Sequence, residues 1–190
     1  MPKKLILLIG APGSGKSTDA KLIAKNHSGV ISSYSTGDLI KKEIEKGTTI
    51  GNIARSLVEK GELVPTQIVV ELIVDAVNNA PTDVVLLDGF PGKEKQLQYF
   101  CDHIFNNDKI KLMSVLEIKV NDDLAKKRWL DSGRSEEIFE HEMESYKASL
   151  SEIEAHYEGK NILKVIDGEK ELDIVIKDID SYLASICTSF

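Results

Sequence analysis

Gly10-Ala11-Pro12-Gly13-Ser14-Gly15-Lys16-Ser17-Thr18 is the stretch that decides the fold, and it follows the apolar run Leu5–Ile9. It has the full GxxxxGK[ST] spacing, between a predicted buried strand and a predicted helix. Its glycines let backbone N–H groups converge on a phosphate, Lys16 adds a positive charge, and the Ser17 hydroxyl is placed to coordinate Mg²⁺. The motif predicts a phosphate-binding loop for a nucleoside triphosphate. A glycine-rich turn with a chance lysine is the alternative.

The composition is that of one ordinary globular domain, spanning residues 1–190. The chain is 42% hydrophobic and 29% charged, and its net charge of −7 argues against a nucleic-acid partner. No apolar run approaches the ~18 residues of a membrane span. The first apolar residues are interrupted too early for a signal peptide, so we expect a cytoplasmic protein without a membrane partner.

The cysteines and histidines show no pattern of a metal site. Cys101 and Cys187 are too few and too far apart for a disulfide framework or a zinc clip, so we interpret them as buried thiols. The histidines lack the spacing of metal ligands and are interpreted as surface or helix residues: His27, His103, His141 and His156.

Short apolar runs alternate with longer segments of helical periodicity. Strands are predicted at Leu5–Ile9, Val84–Leu87, Met113–Ile118 and Ile162–Ile166, with a weaker candidate at Val30–Ser33. Helices are predicted at residues 16–26, 38–46, 51–60, 66–78, 93–106, 122–131, 135–158 and 172–186. This alternation predicts an α/β fold, the three-layer sandwich of P-loop NTPases, with a five-stranded parallel sheet flanked by helices.

Two segments interrupt the alternation. Residues 35–65 hold helical segments without a strand between them, which predicts a helical insertion. Residues 131–136 form a short polar break between two long helices. At the start of the insertion, Thr36 or Asp38 reads as a helix N-cap, and Pro65 reads as the start of the next helix.

Asp88 directly follows the predicted strand Val84–Leu87 and precedes Gly89-Phe90-Pro91. A carboxylate at the carboxyl end of a parallel strand, beside the strand of the phosphate loop, is well placed to hold Mg²⁺ directly or through water. A helix cap or turn cap is the alternative.

In this order, four motifs resemble those of the adenylate kinases: GAPGSGKST at 10–18, STGDLIK at 35–41, GELVP at 61–65 and DGFP at 88–91, with Gln96 beyond. The resemblance runs from Met1 to about Ile166 and includes Ile166-Asp167-Gly168. Such an ordered set is specific to nucleoside-monophosphate kinases. Thr36, where pyrimidine-nucleotide kinases typically have Ala, points to an adenine-accepting member. The resemblance implies transfer of the ATP γ-phosphoryl group to AMP, giving two ADP, with Mg²⁺ as cofactor.

The resemblance also implies roles on the ATP side. Arg128 would pack over the adenine, the backbone of Lys170 would contact that ring, and Arg134 would be a lid arginine that reaches the transferring phosphoryl group. Lys16, Arg134 and Asp88 are the candidate catalytic residues, and Ser17 and Asp88 are the candidate Mg²⁺ ligands. The ATP-binding set is Gly13, Ser14, Gly15, Lys16, Ser17, Thr18, Arg128 and Lys170.

For AMP, the resemblance implies that Thr36 and Gln96 hydrogen-bond the base, that residues 62–64 contact it through their backbone, and that residues from Gly89 onward line the phosphate. The complete AMP-binding set is Thr36, Lys41, Glu62, Leu63, Val64, Gly89, Phe90, Pro91, Gly92 and Gln96.

The chain departs from the family in its arginines. Positions where the family has arginine carry other residues here: Lys41, Gly92, Ser132 and either His141 or Glu142. Lysine replaces the charge of arginine but not its two-pronged geometry. Lys93 or Lys95 could supply a charge near Gly92, although a solvated helix face is the alternative for both.

The missing arginines leave other functions open. One charge-assisted contact to a transition-state phosphoryl group contributes ~2–4 kcal/mol, so we expect weak activity, a nucleotide-binding protein without turnover, or a kinase for another monophosphate. The break at 131–136 lacks the paired cysteines of long-lid relatives, so no structural zinc is expected. The resemblance favours a monomer with nucleotides as its small-molecule partners.

Overall fold

A computed structural model describes residues 1–60, 63–105 and 107–187. Its elements follow in the order β1 (Lys3–Ile9), α1 (Lys16–Asn26), β2 (Ile31–Ser35), α2 (Thr36–Lys46), α3 (Thr49–Glu59), α4 (Thr66–Asn78), β3 (Val84–Asp88), α5 (Glu94–Phe105), β4 (Ile110–Lys119), α6 (Asp122–Asp131), α7 (Glu136–Glu158), β5 (Leu163–Asp167) and α8 (Leu172–Ile186). Four predicted helices have the observed bounds, and most other ends shift by one or two residues, although β4 begins earlier, at Ile110.

The strands form one parallel sheet in the order β2-β3-β1-β4-β5, which confirms the predicted fold class. β1 lies in the centre, and its residues alternate between two cores. Leu5, Leu7 and Ile9 belong to one core, whereas Ile6 and Leu8 belong to the other. Because both faces of the sheet are covered, the strand reads as an unbroken apolar run rather than as an alternating one.

Different helices cover the two faces. Residues of α4, α5 and α7 pack in the core that contains Leu5, including Val70, Phe100 and Tyr157. Residues of α1 and α8 pack in the core that contains Ile6, including Ile23 and Ile179. The carboxyl ends of β1, β2 and β3 therefore open toward the same edge of the molecule, between the two helix layers.

The break at 131–136 is a short turn between two helices that pack together. Trp129 of α6 and Phe139 of α7 belong to a small apolar cluster that also contains Ala11 of the glycine-rich loop. Across the same helix pair, the Nζ atom of Lys126 lies 2.6 Å from an oxygen of Glu136 and 2.7 Å from one of Glu140. The turn is thus attached to the phosphate loop through the packing of α6 and α7.

The insertion contains α2 and α3, which approach closely. A Cβ atom on Gly51 would lie 2.0 Å from the carbonyl oxygen of Glu43, so only glycine fits there. The predicted N-cap of α2 was wrong: the cap is Ser35, whose hydroxyl accepts a 3.1 Å hydrogen bond from the Asp38 N–H. Ser35 is still extended when the chain leaves β2, whereas Thr36 is already helical. The bounds 35–65 of the insertion and 131–136 of the lid remain predictions.

Cys101 and Cys187 are buried free thiols, as predicted. Among the described parts of the chain, every helix is too short or too polar to cross a membrane.

Candidate active site

The glycine-rich loop, residues 10–15, connects the end of β1 to the first residue of α1. Gly13 has φ +81°, and a Cβ atom there would lie 2.1 Å from the carbonyl oxygen of Ala125 in α6, so the loop requires glycine at this position. Gly15 precedes α1 without a side-chain cap. The first N–H groups of α1 are therefore not capped by a side chain, and together with the helix dipole they suit an anion.

Lys16, the first residue of α1, reaches back over this loop. Its Nζ atom donates a 3.2 Å hydrogen bond to the carbonyl oxygen of Ala11. Burial lowers the pKa of the Lys16 ammonium, while the carboxylates of Asp88 and Glu142 act in the opposite direction. The ammonium thus lies between two acidic groups that come from different elements.

Ser17, in the first turn of α1, meets Asp88 at the carboxyl end of β3. The hydroxyl of Ser17 donates a short hydrogen bond to Oδ2 of Asp88, which is 4% exposed at the end of β3. The other carboxylate oxygen, Oδ1, is buried and has no hydrogen-bond partner in the described part of the chain. Unsatisfied buried oxygens are uncommon, and this one is available to a cation or to water.

Three cavities surround the loop, and we name them by their position. The phosphate-loop cavity, about 420 Å³, is lined by Lys16, Ser17, Thr36, Asp88, Arg134 and Glu142 among others. The α8-side cavity, about 330 Å³, is lined by Gly13, Asp19, Arg128, Arg134, Gly168 and Lys170 among others. The β3-loop cavity, about 300 Å³, is lined by Lys16, Phe90, Gly92, Lys93, Gln96 and Glu142 among others.

Arg128 forms the floor of the α8-side cavity. Its Nη1 atom donates to the carbonyl oxygens of Ser14, at 3.2 Å, and Gly168, at 2.9 Å, and so connects the phosphate loop to the turn after β5. Lys170 lies at the rim, where its Nζ atom pairs with Asp178 at 2.8 Å. Arg128 and Lys170, two of the predicted ATP-binding residues, thus line one cavity.

Asp19 is a buried acid beside Arg128 that the sequence analysis did not identify. Its side chain is on α1, is 3% exposed and lines the α8-side cavity. Burial raises its pKa to about 6, and the Arg128 guanidinium opposes that shift. The sequence signal that could have identified Asp19 is its position directly after Gly15-Lys16-Ser17-Thr18.

Arg134 stands over the phosphate loop from the turn between α6 and α7. Its guanidinium carbon is 3.9 Å from the centroid of the Trp129 ring, and its Nε atom donates a 3.0 Å hydrogen bond to Ser132 Oγ. It lines both the phosphate-loop cavity and the α8-side cavity. Arg134 is a residue that the sequence predicted for this site, whereas Trp129 is not.

The loop after β3 forms one wall of the β3-loop cavity. Phe90 is fully buried and packs edge-on against Phe100, with 5.0 Å between ring centroids. Beyond it, the N–H of Gly92 donates a 2.8 Å hydrogen bond to Oε1 of Gln96, which turns that side chain toward the loop. Lys93 lines the same cavity, so a cation does stand beside Gly92.

The predicted residues of the insertion are only partly brought to the site. Thr36 lines the phosphate-loop cavity, and its Oγ1 atom is buried without a partner among the described residues. Lys41 points outward with a side chain that is 74% exposed, 4.0 Å from Glu45. Leu63 is 73% exposed, and Val64 packs against the core that contains Leu5. Glu62 lies outside the described residues.

Glu142 of α7 faces Lys16 from the opposite wall and lines both the phosphate-loop and the β3-loop cavities. Glu142 is one of two residues, with His141, predicted to stand where the family has an arginine. Neither residue supplies that guanidinium, and Glu142 adds a carboxylate to this wall.

Comparison with known proteins agrees with this geometry. The family model described as "Adenylate kinase" matches residues 8–162. The chain is 42% identical over 185 residues to a protein named adenylate kinase from a Nitratiruptor species, with 95% of each chain covered. Proteins of that name from a Sulfurovum species and from Wolinella succinogenes are 39% and 40% identical, over 96% of this chain and 98% of each relative.

Proposed function

This chain belongs to the adenylate kinase family, and on that premise we propose that it transfers the γ-phosphoryl group of ATP to AMP, giving two ADP. One observation carries the proposal: Lys16 lines both the phosphate-loop cavity and the β3-loop cavity, so its ammonium stands where two nucleotides would meet. Phosphoryl transfer requires mainly positioning and neutralisation of charge on the transferred group, and a cation between donor and acceptor supplies both.

The donor nucleotide is proposed to occupy the α8-side and phosphate-loop cavities together. The uncapped start of α1 and the N–H groups of residues 13–18 would hold its phosphates, while Arg128 and the backbone of Lys170 would contact its base. Support comes from Arg128, whose guanidinium is fixed by two carbonyl oxygens at the base of this space. A side chain fixed in this way contacts a ligand at a low cost in conformational entropy.

Ser17 of α1 and Asp88 at the end of β3 fit Mg²⁺. The Ser17 hydroxyl and the Asp88 carboxylate offer the oxygen ligands that this ion prefers, and Asp88 Oδ1 is buried without a partner among the described residues. We propose that Ser17 and Asp88 hold the ion directly or through water. When bound, the ion neutralises charge on the phosphates of the donor.

AMP is proposed to occupy the β3-loop cavity, with its phosphate directed toward Lys16. Thr36 and Gln96 would bind the base. Lys93 is the cation closest in sequence to Gly92, where the family has an arginine. In this structure Lys41 and Leu63 are exposed, so their proposed contacts require α2 and α3 to move toward the β3 loop. Glu62 is assigned on the resemblance alone.

A second candidate function is a nucleotide-binding protein with little or no turnover. Glu142 in the cleft and Gly92 in the β3 loop favour it, since both leave the acceptor side with less positive charge than phosphoryl transfer requires. A kinase for a different monophosphate is the third candidate, because the same positions contact the acceptor.

A coupled assay of ADP formation from Mg·ATP, with AMP, CMP, UMP or GMP as acceptor, tests these functions. We expect AMP to be the fastest acceptor. Lys16→Ala should lower turnover by a factor on the order of 10²–10³ or more, because it removes the cation between the phosphates.

The matched control is Lys21→Ala, an exposed lysine on the same helix, which should retain activity. Unchanged turnover in Lys16→Ala would contradict the phosphate-loop assignment. Tight binding of a dinucleotide of two linked adenosines, with no ADP formed from any acceptor, would establish the second candidate instead.

We also propose a cytoplasmic monomer. Membership of the family supports the monomer, which its resemblance favours. The two cysteines are buried thiols without a disulfide, which is typical of proteins from a reducing compartment. Sedimentation with and without ATP tests the monomer.

A further inference from the structure

Trp129 and Arg134 form a cation–π pair at the edge of the phosphate-loop cavity. The guanidinium carbon of Arg134 is 3.9 Å from the centroid of the Trp129 ring, within the range at which the attraction is effective. Both side chains line this cavity. The contact is not required to fill a core, because Arg134 is exposed in the turn before α7.

The Trp129 ring is itself held in place. Its Nε1 atom donates a 2.8 Å hydrogen bond to the carbonyl oxygen of Ser135, and the ring is 4% exposed. Phe139 packs against it in a tilted arrangement, with 5.9 Å between the ring centroids. The ring thus presents a fixed face to the arginine.

Ser132 supplies the second anchor for Arg134. Its hydroxyl donates a 2.6 Å hydrogen bond to the carbonyl oxygen of Trp129 and accepts a 3.0 Å hydrogen bond from Arg134 Nε. Two contacts therefore hold the guanidinium: the face of the Trp129 ring, and the hydroxyl of Ser132, which accepts from its Nε–H. Among residues 1–60, 63–105 and 107–187, Arg134 forms no ion pair with a carboxylate.

The absence of a carboxylate partner matters for the chemistry. A carboxylate would hold the arginine but would also neutralise it and compete with phosphate for its N–H groups. An aromatic face holds the guanidinium through the ring quadrupole and leaves its full positive charge and most of its donors for another ligand. Arg134 also contributes to the lowered pKa of Lys16, so both cations act on the same space.

We propose that Trp129 is a positioning residue for phosphoryl transfer, which holds Arg134 over the phosphate loop before the nucleotide binds. The inference rests on the proposed function. In it, the Trp129 ring and the Ser132 hydroxyl keep Arg134, the predicted lid arginine, in position. Since the guanidinium is fixed in advance, less conformational entropy is lost when it contacts the transferred group.

Steady-state kinetics in two backgrounds test this. Trp129→Leu should lower kcat about threefold to tenfold with less than about a twofold change in the KM for ATP, and Trp129→Phe, which keeps a ring, should recover most of the loss. In an Arg134→Ala background, Trp129→Leu should have no further effect on kcat. An equal loss in both backgrounds would overturn the proposal, because the ring would then act through packing alone.

Phe139→Leu is the matched control. It removes an aromatic side chain from the same cluster without touching Arg134, so it should lower the melting temperature but change kcat by the same factor in both backgrounds. If the effect of Phe139→Leu on kcat depends on Arg134 as strongly as the effect of Trp129→Leu does, the specific role of the Trp129 ring is overturned.

Fluorescence separates this proposal from the proposed function, since Trp129 is the single tryptophan of the chain. Addition of Mg·ATP should change its emission in the native protein, because the phosphates bind the guanidinium that lies on the ring, and Arg134→Ala should remove most of that change. This readout needs no turnover, so it applies even to a protein that forms no ADP. If ATP changes the Trp129 emission equally in the native protein and in Arg134→Ala, the proposed role of the Trp129–Arg134 pair is wrong.

Discussion

Gly92 lies in the loop that lines the β3-loop cavity, where we propose that the acceptor phosphate binds. A Cβ atom at Gly92 would have Gln96 Oε1 as its nearest neighbour, at 3.7 Å, and Gly92 is exposed. Its N–H bonds Gln96, a contact that any residue except proline would keep. The position therefore has room for a long side chain.

Gly92→Arg should lower the apparent KM for AMP by about tenfold or more, because it adds one charged hydrogen bond to the acceptor phosphate. Initial rates at saturating ATP with varied AMP measure this. Gly92→Gln has a similar reach without the charge and should leave the KM nearly unchanged. If Gly92→Arg also leaves it unchanged, Lys93 already binds the phosphate.

Glu142 is the residue whose charge is least expected in this site. It lies on α7, lines the same two cavities as Lys16, and counteracts the lowering of the Lys16 pKa. An exposed carboxylate at this place repels incoming phosphates through partly screened Coulomb interaction.

Glu142→Gln should therefore raise kcat/KM for AMP about threefold to tenfold at low ionic strength, and the gain should shrink as salt is added. Glu144→Gln, an exposed acid on the same helix outside the cavities, is the control. A loss of activity in Glu142→Gln would show instead that the carboxylate holds a substrate group or a cation.

At the scale of helices, α1 and α3 differ in how their first N–H groups are satisfied. The N-terminus of α1 has no side-chain cap and faces the phosphate-loop cavity. The N-terminus of α3 is capped by Thr48, whose hydroxyl accepts from the Gly51 N–H at 3.0 Å and donates to Glu43 at 2.9 Å. One helix start is thus available to a ligand, and the other is satisfied by the protein itself.

Thr48→Ala should reduce the free energy of unfolding by about 1 kcal/mol, because it removes this cap and leaves the Gly51 N–H unsatisfied. A melting curve, together with hydrogen exchange of the α3 amides, measures the loss. Ser135→Ala is the matched control, since Ser135 precedes α7 without forming a side-chain cap, and it should be nearly neutral. Equal effects of the two variants would contradict the capping argument.

At the scale of the whole molecule, Glu117 places an acid between the sheet and α7. It is 1% exposed on β4, and its Oε2 atom has no partner among the described residues. Lys119 lies 4.0 Å from its Oε1 atom and 3.8 Å from Glu154. Burial, followed by the negative charge of Glu154, raises the pKa of Glu117 to about 7.

A raised carboxyl pKa means that the folded protein binds this proton more tightly than the unfolded chain does. The free energy of unfolding therefore falls as the pH rises from the ordinary pKa of 4.5 through about 7. Glu117→Gln cannot lose a proton, so relative to the native protein it should gain on the order of 1–3 kcal/mol between pH 4.5 and pH 8. Urea denaturation at both pH values measures this gain, and Glu144→Gln should show none. A difference that is the same at both pH values would contradict the titration of Glu117.

Much of the fold was predictable because the relevant signals are local. β1 and β3 contain the unbroken apolar runs Leu5–Ile9 and Val84–Leu87, and helices such as α8 repeat apolar residues at helical spacing. The N-cap of α2 was missed because Ser35, Thr36 and Asp38 are all good cap residues, and only the point at which β2 ends selects among them.

The candidate site was predictable in part. The phosphate loop and Asp88 follow from one motif and one strand end. Asp19, Trp129 and Glu142 were not identified as site residues, because on the sequence they read as ordinary residues of helices.

What the sequence determined by itself was the order of strands and helices, the phosphate loop, and the family, since each depends on residues that are adjacent or regularly spaced along the chain. Only the tertiary structure decided which charges face one another: Lys16 of α1, Asp88 of β3 and Glu142 of α7 meet at the edge of the sheet. The reason is that electrostatic interaction depends on distance in space and on burial, and both are set by how the helices pack on the parallel sheet.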